Sequence, residues 1–124
     1  MHYAILCYDR EAVTTAMSAD EEGALMDRLG AVQDRLRKRG KLGPVARLMP
    51  TTAATTLKKG SESLVVDGPF AETKEQLLGF YIVDCETREE AVEFARELAG
   101  AATHGTGSYE IRPLMMLRPG TIPQ

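Results

Sequence analysis

The side chains of this sequence that could carry acid–base or anion chemistry are Asp67, Lys74, Tyr81, His104, Glu110 and Arg112. Asp67 ends a hydrophobic run and begins the turn Asp67-Gly68-Pro69-Phe70. A carboxylate there either accepts backbone N–H bonds and fixes the turn, or stands at a strand end as a general base or ligand anchor. Phe70 is expected to plug the core beneath that turn. His104 lies in the loop Thr103-His104-Gly105-Thr106-Gly107. It is either solvated or, having an ordinary pKa suited to proton shuttling near neutrality, an acid–base catalyst. Glu110 and Arg112 are two apart on a strand and share the face opposite Tyr109 and Ile111. In a partly dry space the guanidinium would grip a carboxylate or phosphate through two parallel hydrogen bonds, whereas a Glu–Arg pair would only lock an interface. Tyr81 falls on an inner strand, as a core tyrosine or with its hydroxyl shown to the same space. Lys74, between Glu72 and Glu75, reads as part of a solvated, charged face.

Other chemistries lack their residues. His2 and His104 are far apart and neither Cys7 nor Cys85 belongs to a C-x-x-C pair, so no metal and no cofactor is expected. The two thiols read as small buried hydrophobes of a protein kept in a reducing cytosol. No glycine-rich phosphate loop and no G-x-S-x-G elbow occurs. A net charge of −3 and a pI near 5.4, without any Lys/Arg cluster, argue against a nucleic-acid or anionic-membrane partner. The apolar start, Met1 to Asp9, is too short to span a bilayer and lacks the basic lead of a signal peptide, so a cytoplasmic location is expected. With 124 residues, 44% of them hydrophobic and 27% charged, the chain is expected to fold as one domain over 1–124.

The elements that must position these side chains are marked by periodicity. Tyr3 to Tyr8 is apolar on both alternating faces, which predicts a strand covered above and below. Ser18 and Glu21 form a capping box ahead of Leu25, Leu29, Val32 and Leu36, predicting a helix to Arg39 with a basic last turn. Short strands follow at 45–49, 54–57 and 64–66, read as a meander, then a helical turn over Ala71 to Gln76. Leu77 to Val83 is a second strand apolar on both faces. Thr87 and Glu90 cap a helix carrying Ala91, Phe94, Ala95 and Leu98, and the last strand runs from Tyr109 to Met116.

This order is the ferredoxin-like α+β arrangement, β-α-β…β-α-β with an inserted hairpin, in which both helices cover one face of an antiparallel sheet. Two-faced apolar strands then leave the other face in need of a cover. A second copy of the chain is the simplest one. The resulting homodimer would enclose a partly apolar, barrel-like space suited to a small organic acid or phosphate.

The block Asp67-Gly68-Pro69-Phe70-Ala71-Glu72-Thr73-Lys74-Glu75-Gln76, followed by Gly79-Phe80-Tyr81 and Glu110-Ile111-Arg112-Pro113, resembles the YCII-related family in the branch named for its DGPF motif. The resemblance covers essentially the whole chain. It implies a dimeric α+β barrel, and it implies that Lys74 lines a pocket rim. Some members resemble proteins encoded beside sigma factors, a transcriptional association that this acidic chain gives no basic surface to support. A related branch acts on small unsaturated or lactone-like acids through a His and an Asp. The stretch Ala19 to Arg39 holds no histidine, so that dyad does not carry over. Two functions remain open: an acid–base enzyme on a small carboxylate-bearing substrate using Asp67, Glu110 or His104, and a silent module that binds a metabolite or a protein.

Overall fold

A strand whose odd and even residues are both apolar must be inner, and the first one is. β1 (His2–Asp9) turns Tyr3, Ile5 and Cys7 to one face and Ala4, Leu6 and Tyr8 to the other. The computed structural model describes residues 1–102 and 105–123. After β1 come α1 (Glu11–Thr15), α2 (Ala19–Lys38), β2 (Leu42–Arg47), a 3-10 turn (Thr51–Ala53), β3 (Thr55–Lys58), β4 (Leu64–Asp67), β5 (Gln76–Asp84), α3 (Arg88–Ala101) and β6 (Ser108–Pro113). Four strands form one sheet in the order β2-β5-β1-β6, every neighbouring pair antiparallel. Each long helix therefore joins two parallel strands with one antiparallel strand between them, the split βαβ unit of the ferredoxin-like class. The chain by itself makes an open sheet, not a closed barrel.

Both long helices lie on one face. Val32 and Leu36 of α2 and Phe94, Ala95 and Leu98 of α3 pack on Tyr3, Ile5, Tyr81 and Val83 of the central strands, and Tyr109 and Ile111 of β6 border the same cluster. Ile5, Leu36, Val83 and Leu98 are fully buried there. The opposite, outer face carries Leu6, Tyr8 and Phe80 half-buried. Ser18 closes its capping box in both directions. At α3 only half of one forms: Thr87 accepts the Glu90 N–H at 3.2 Å, while the Glu90 carboxylate turns to Lys41 Nζ, 3.5 Å away. The Arg28 guanidinium, reaching across from α2, donates to the Ala101 carbonyl at 2.8 Å and occupies one of the acceptors that the end of α3 leaves open.

The chain departs from expectation in several places, the last strand among them, which ends at Pro113 rather than Met116. The middle is not a meander, because β2 pairs with β5 while β3 and β4 pair only with each other in a separate two-stranded sheet. No helical turn forms over 71–76: Thr73 Oγ1 donates to the Glu75 carbonyl at 2.5 Å and the Gln76 amide to Ala71 and Thr73, so side chains take the acceptors a helix would need. Phe70 is 88% exposed, because the hairpin carries the turn away from the core. Helix α1 was not foreshadowed. The Glu11 carboxylate accepts both the backbone N–H (2.9 Å) and the hydroxyl of Thr51, fastening α1 to the 3-10 turn.

Candidate functional site

Toward the Cys7 end of β1, sheet and helix stop touching and a cavity of about 280 Å³ opens between them. Its floor is Cys7 and Asp9 of β1, Tyr81 of β5 and Tyr109 of β6; Leu25, Met26, Leu29 and Gln33 of α2 form the roof, and Val45 and Arg47 of β2 the side. Two backbone features make the space. Gly79, directly opposite Cys7, brings no side chain to the floor, and β2 runs so close that an added Cβ would stand 2.3 Å from the Ala46 carbonyl oxygen. A bulge places Leu78 as an extra residue of β5 between the Cys7 and Tyr8 pairings, and Leu78 lines the cavity. At the far end Gly107, with φ +91°, crosses over Asp9, where a Cβ would come within 2.6 Å of the Tyr8 carbonyl oxygen and 2.9 Å of the Asp9 carboxyl carbon.

Asp9 is 5% exposed, with Oδ1 accepting the Arg10 N–H at 2.7 Å, and Thr14, Thr106 and Ser108 line the cavity with it. Burial pushes the Cys7 thiol up to about 12. Burial likewise raises Tyr109, and repulsion from Cys7, Tyr81 and Asp9 adds to it. Tyr81 is raised by burial and by Cys7, offset in part by the neighbouring Gln33 amide and the Arg47 charge. Near neutrality both phenols are therefore hydrogen-bond donors and the thiol is not a nucleophile. Such a set can hold a carbonyl or phenolic oxygen with two hydroxyls beside a carboxylate.

Of the side chains singled out from the sequence that lie among the described residues, Tyr81 alone lines this cavity, and it does so from the helix face rather than from the outer face. Asp67 is exposed at the end of the hairpin strand β4, and no hydrogen bond of its carboxylate is among those of the described residues. The turn after it is held instead by the Gly68 N–H on the Ala54 carbonyl and by Thr56 Oγ1 on the Gly68 carbonyl, both at 2.8 Å, with Gly68 at φ +98°. Glu110 and Arg112 do share the outer face of β6, opposite Tyr109 and Ile111; both are exposed, and among the described residues no ion pair joins them. Lys74 is exposed and borders a different, open cleft with Arg10, Glu72 and Pro69. His104 lies outside the described residues.

Asp9, Tyr109, Gln33 and Arg47 were not singled out. A signal for Asp9 was present, since a carboxylate that continues the alternation Tyr3-Ile5-Cys7 belongs to the covered face and is out of character there. Nothing comparable marks Gln33 or Arg47, which become neighbours of Tyr81 only through the α2 crossover. Among the described residues no group of three His, Cys, Asp or Glu could hold a metal ion, and no helix is long and apolar enough to cross a membrane.

A ferredoxin-like sheet with two covering helices and a hollow beneath one of them defines the class as a small α+β protein. Within that class the assignment is direct: the sequence model of the YCII-related domain matches residues 1–118, and the chain belongs to that family. It is 56% identical over 124 residues, 99% of each chain, to a protein of Rhizobium meliloti (strain 1021) described as uncharacterized.

Proposed function

We propose that the protein binds a small, mainly apolar organic molecule between its sheet and α2 and moves a proton on it with Asp9, while Tyr81 and Tyr109 steady the oxygen on which charge develops. The observation that carries this reading is a buried carboxylate sharing an apolar cavity with two tyrosines that burial keeps protonated. The size is adequate, because a dry cavity of about 150 Å³ accepts one benzene ring and this one measures about 280 Å³. Asp67, Glu110 and Arg112 stand outside that space and take no part in the proposed chemistry. The proposal includes a homodimer, supported by the half-buried Leu6, Tyr8 and Phe80 on the uncovered sheet face and by the apolar hairpin.

The test is deuterium uptake from D2O at the acidic C–H of small aryl and unsaturated ketones and acids, read by NMR with and without the protein. Exchange should be catalysed by the native chain and fall by about 100-fold or more in Asp9→Asn, the usual worth of a placed general base. Tyr81→Phe should slow exchange less. Saturable binding with no exchange of any compound would reduce the protein to a binding module, and unaltered exchange in Asp9→Asn would remove Asp9 from the role.

A further inference from the structure

The rim of the cavity carries a cation already committed to a weak partner. Arg47 ends β2 at the edge of the sheet and lines the cavity. Its guanidinium leaves the sheet, crosses to α2 and sets Nη2 3.0 Å from Glu22 Oε1 and Nη1 3.1 Å from Met26 Sδ. Both members of the ion pair are half exposed, each with 48% of its side chain accessible. The pair is thus a strap from the last residue of β2 to the first turn of α2, over the Met26 side of the opening. Glu22 is a poor jailer. An ion pair in that much water holds weakly, and the thioether accepts weakly.

Resting on the cavity reading above, we propose that Arg47 is the ligand's anion anchor and that the Glu22–Arg47 strap selects for ligands whose apolar body ends in a carboxylate or an equivalent single negative charge. A neutral molecule entering the cavity meets apolar walls, the two phenols, Gln33 and Asp9, none of which competes for Arg47, and leaves the strap in place. An anion arriving at the rim competes with Glu22 for the guanidinium and wins because its apolar part is buried at the same time. Once there, its charge is shielded from water on the cavity side, where a two-pronged contact is stronger than the exposed one it replaces. The Arg47 charge reaches the floor as well, since it is one of the influences on the Tyr81 hydroxyl. The anion therefore fixes one end of the ligand at Arg47 while Tyr81 contacts the other. Arg112, the other arginine considered for this task, sits on the outer face of β6, away from the cavity.

The experiment uses benzoate and the neutral benzyl alcohol as matched probes, titrated by calorimetry into native protein, Arg47→Met, Arg47→Lys and Glu22→Gln, each checked by thermal melt. Native protein should prefer benzoate. Arg47→Met retains the stem and should lose about ten- to a hundred-fold in benzoate affinity, the worth of a charge-assisted pair, with benzyl alcohol unchanged. Arg47→Lys should recover part of the loss. Glu22→Gln frees the guanidinium and should tighten benzoate by roughly two- to fivefold, again without effect on the alcohol. That gain is not expected of a strap that merely holds β2 to α2. Equal affinity for the two probes, or equal losses of both in Arg47→Met, would overturn the anchor while leaving the cavity in place. If neither probe displaces Tyr81 and Tyr109 ring resonances or binds at millimolar concentration, the cavity reading falls and the anchor with it.

Discussion

Gly79 shows how much a single missing side chain can determine. It pairs with Cys7 on one side and Arg47 on the other, so it lies between the cavity floor and the residue proposed to hold the anion. The approach of β2 is so close that Gly79→Ala would force its Cβ against the Ala46 carbonyl, which belongs to a paired strand and cannot swing aside. We expect Gly79→Ala to cost about 1–3 kcal/mol, the range of overpacked and strained sites. Gly30, inside α2 with open space where a Cβ would go, makes the contrast: Gly30→Ala should stabilise by about 0.5–1 kcal/mol. Urea midpoints of the two variants check both signs, and equal midpoints would show that the strand spacing relaxes freely. The residue scale is also where the sequence was hardest to read. Asp67, Glu110 and Arg112 attracted attention by type, yet two strands that never join the main sheet and one outward face keep them from Tyr81. Asp9 was marked only by its place in the Tyr3-Ile5-Cys7 alternation, and Gln33 looks ordinary in the chain; both matter because of what packs over them.

At the scale of elements the sequence spoke clearly wherever a signal was local and periodic. The Ser18–Glu21 box and the Leu25-Leu29-Val32-Leu36 stripe placed α2 nearly to the residue, and the two-faced strands marked β1 and β5 as central. Where the outcome depended on partners, reading failed. The residues from Ala71 to Gln76 are polar enough for a helical turn, but short side chains there satisfy the backbone locally. β2 looked like the first strand of a meander because nothing in its own residues tells that it will pair with β5. The second capping box is a milder instance: Glu90 had a choice between its own helix start and Lys41, and the cross-element partner prevailed. One consequence can be measured. Thr87 still accepts the Glu90 N–H, so Thr87→Ala should destabilise by about 1 kcal/mol, whereas Thr87→Asp should hold its stability or improve on it through the same bond and the helix dipole. Equal thermal midpoints for Thr87→Ala and the native chain would mean that α3 is anchored by Ala91, Phe94 and Leu98 alone.

For the whole molecule the decisive quantity is surface. A compact monomer of this mass should expose roughly 6,600 Å², and the chain exposes 8841 Å², about a third more. Much of the apolar part can be located. Leu57 (59%), Leu64 (55%), Val65 (65%) and Phe70 (88%) stand out on the β3–β4 hairpin and the turn after it, Met115 and Met116 follow β6, and the uncovered sheet face offers Leu6, Tyr8 and Phe80. The excess is of the size that a protomer surrenders in a permanent dimer, where interfaces bury about 2,000–5,000 Å² in total. A second copy of this chain supplies an apolar face and an apolar hairpin of its own, so both surfaces can be covered at once by a closed twofold pair. Sedimentation equilibrium at micromolar concentration should therefore give twice 13.6 kDa. Val65→Asp, Phe70→Asp and Leu6→Arg should each shift the mass toward the monomer, since an unpaired charge at such a surface costs more than its apolar predecessor contributed. None of the three touches the cluster beneath α2 and α3, so far-UV circular dichroism should remain native. A native chain sedimenting at 13.6 kDa would refute the pairing, and a dimer indifferent to Leu6→Arg but broken by Phe70→Asp would move the interface from the sheet face to the hairpin.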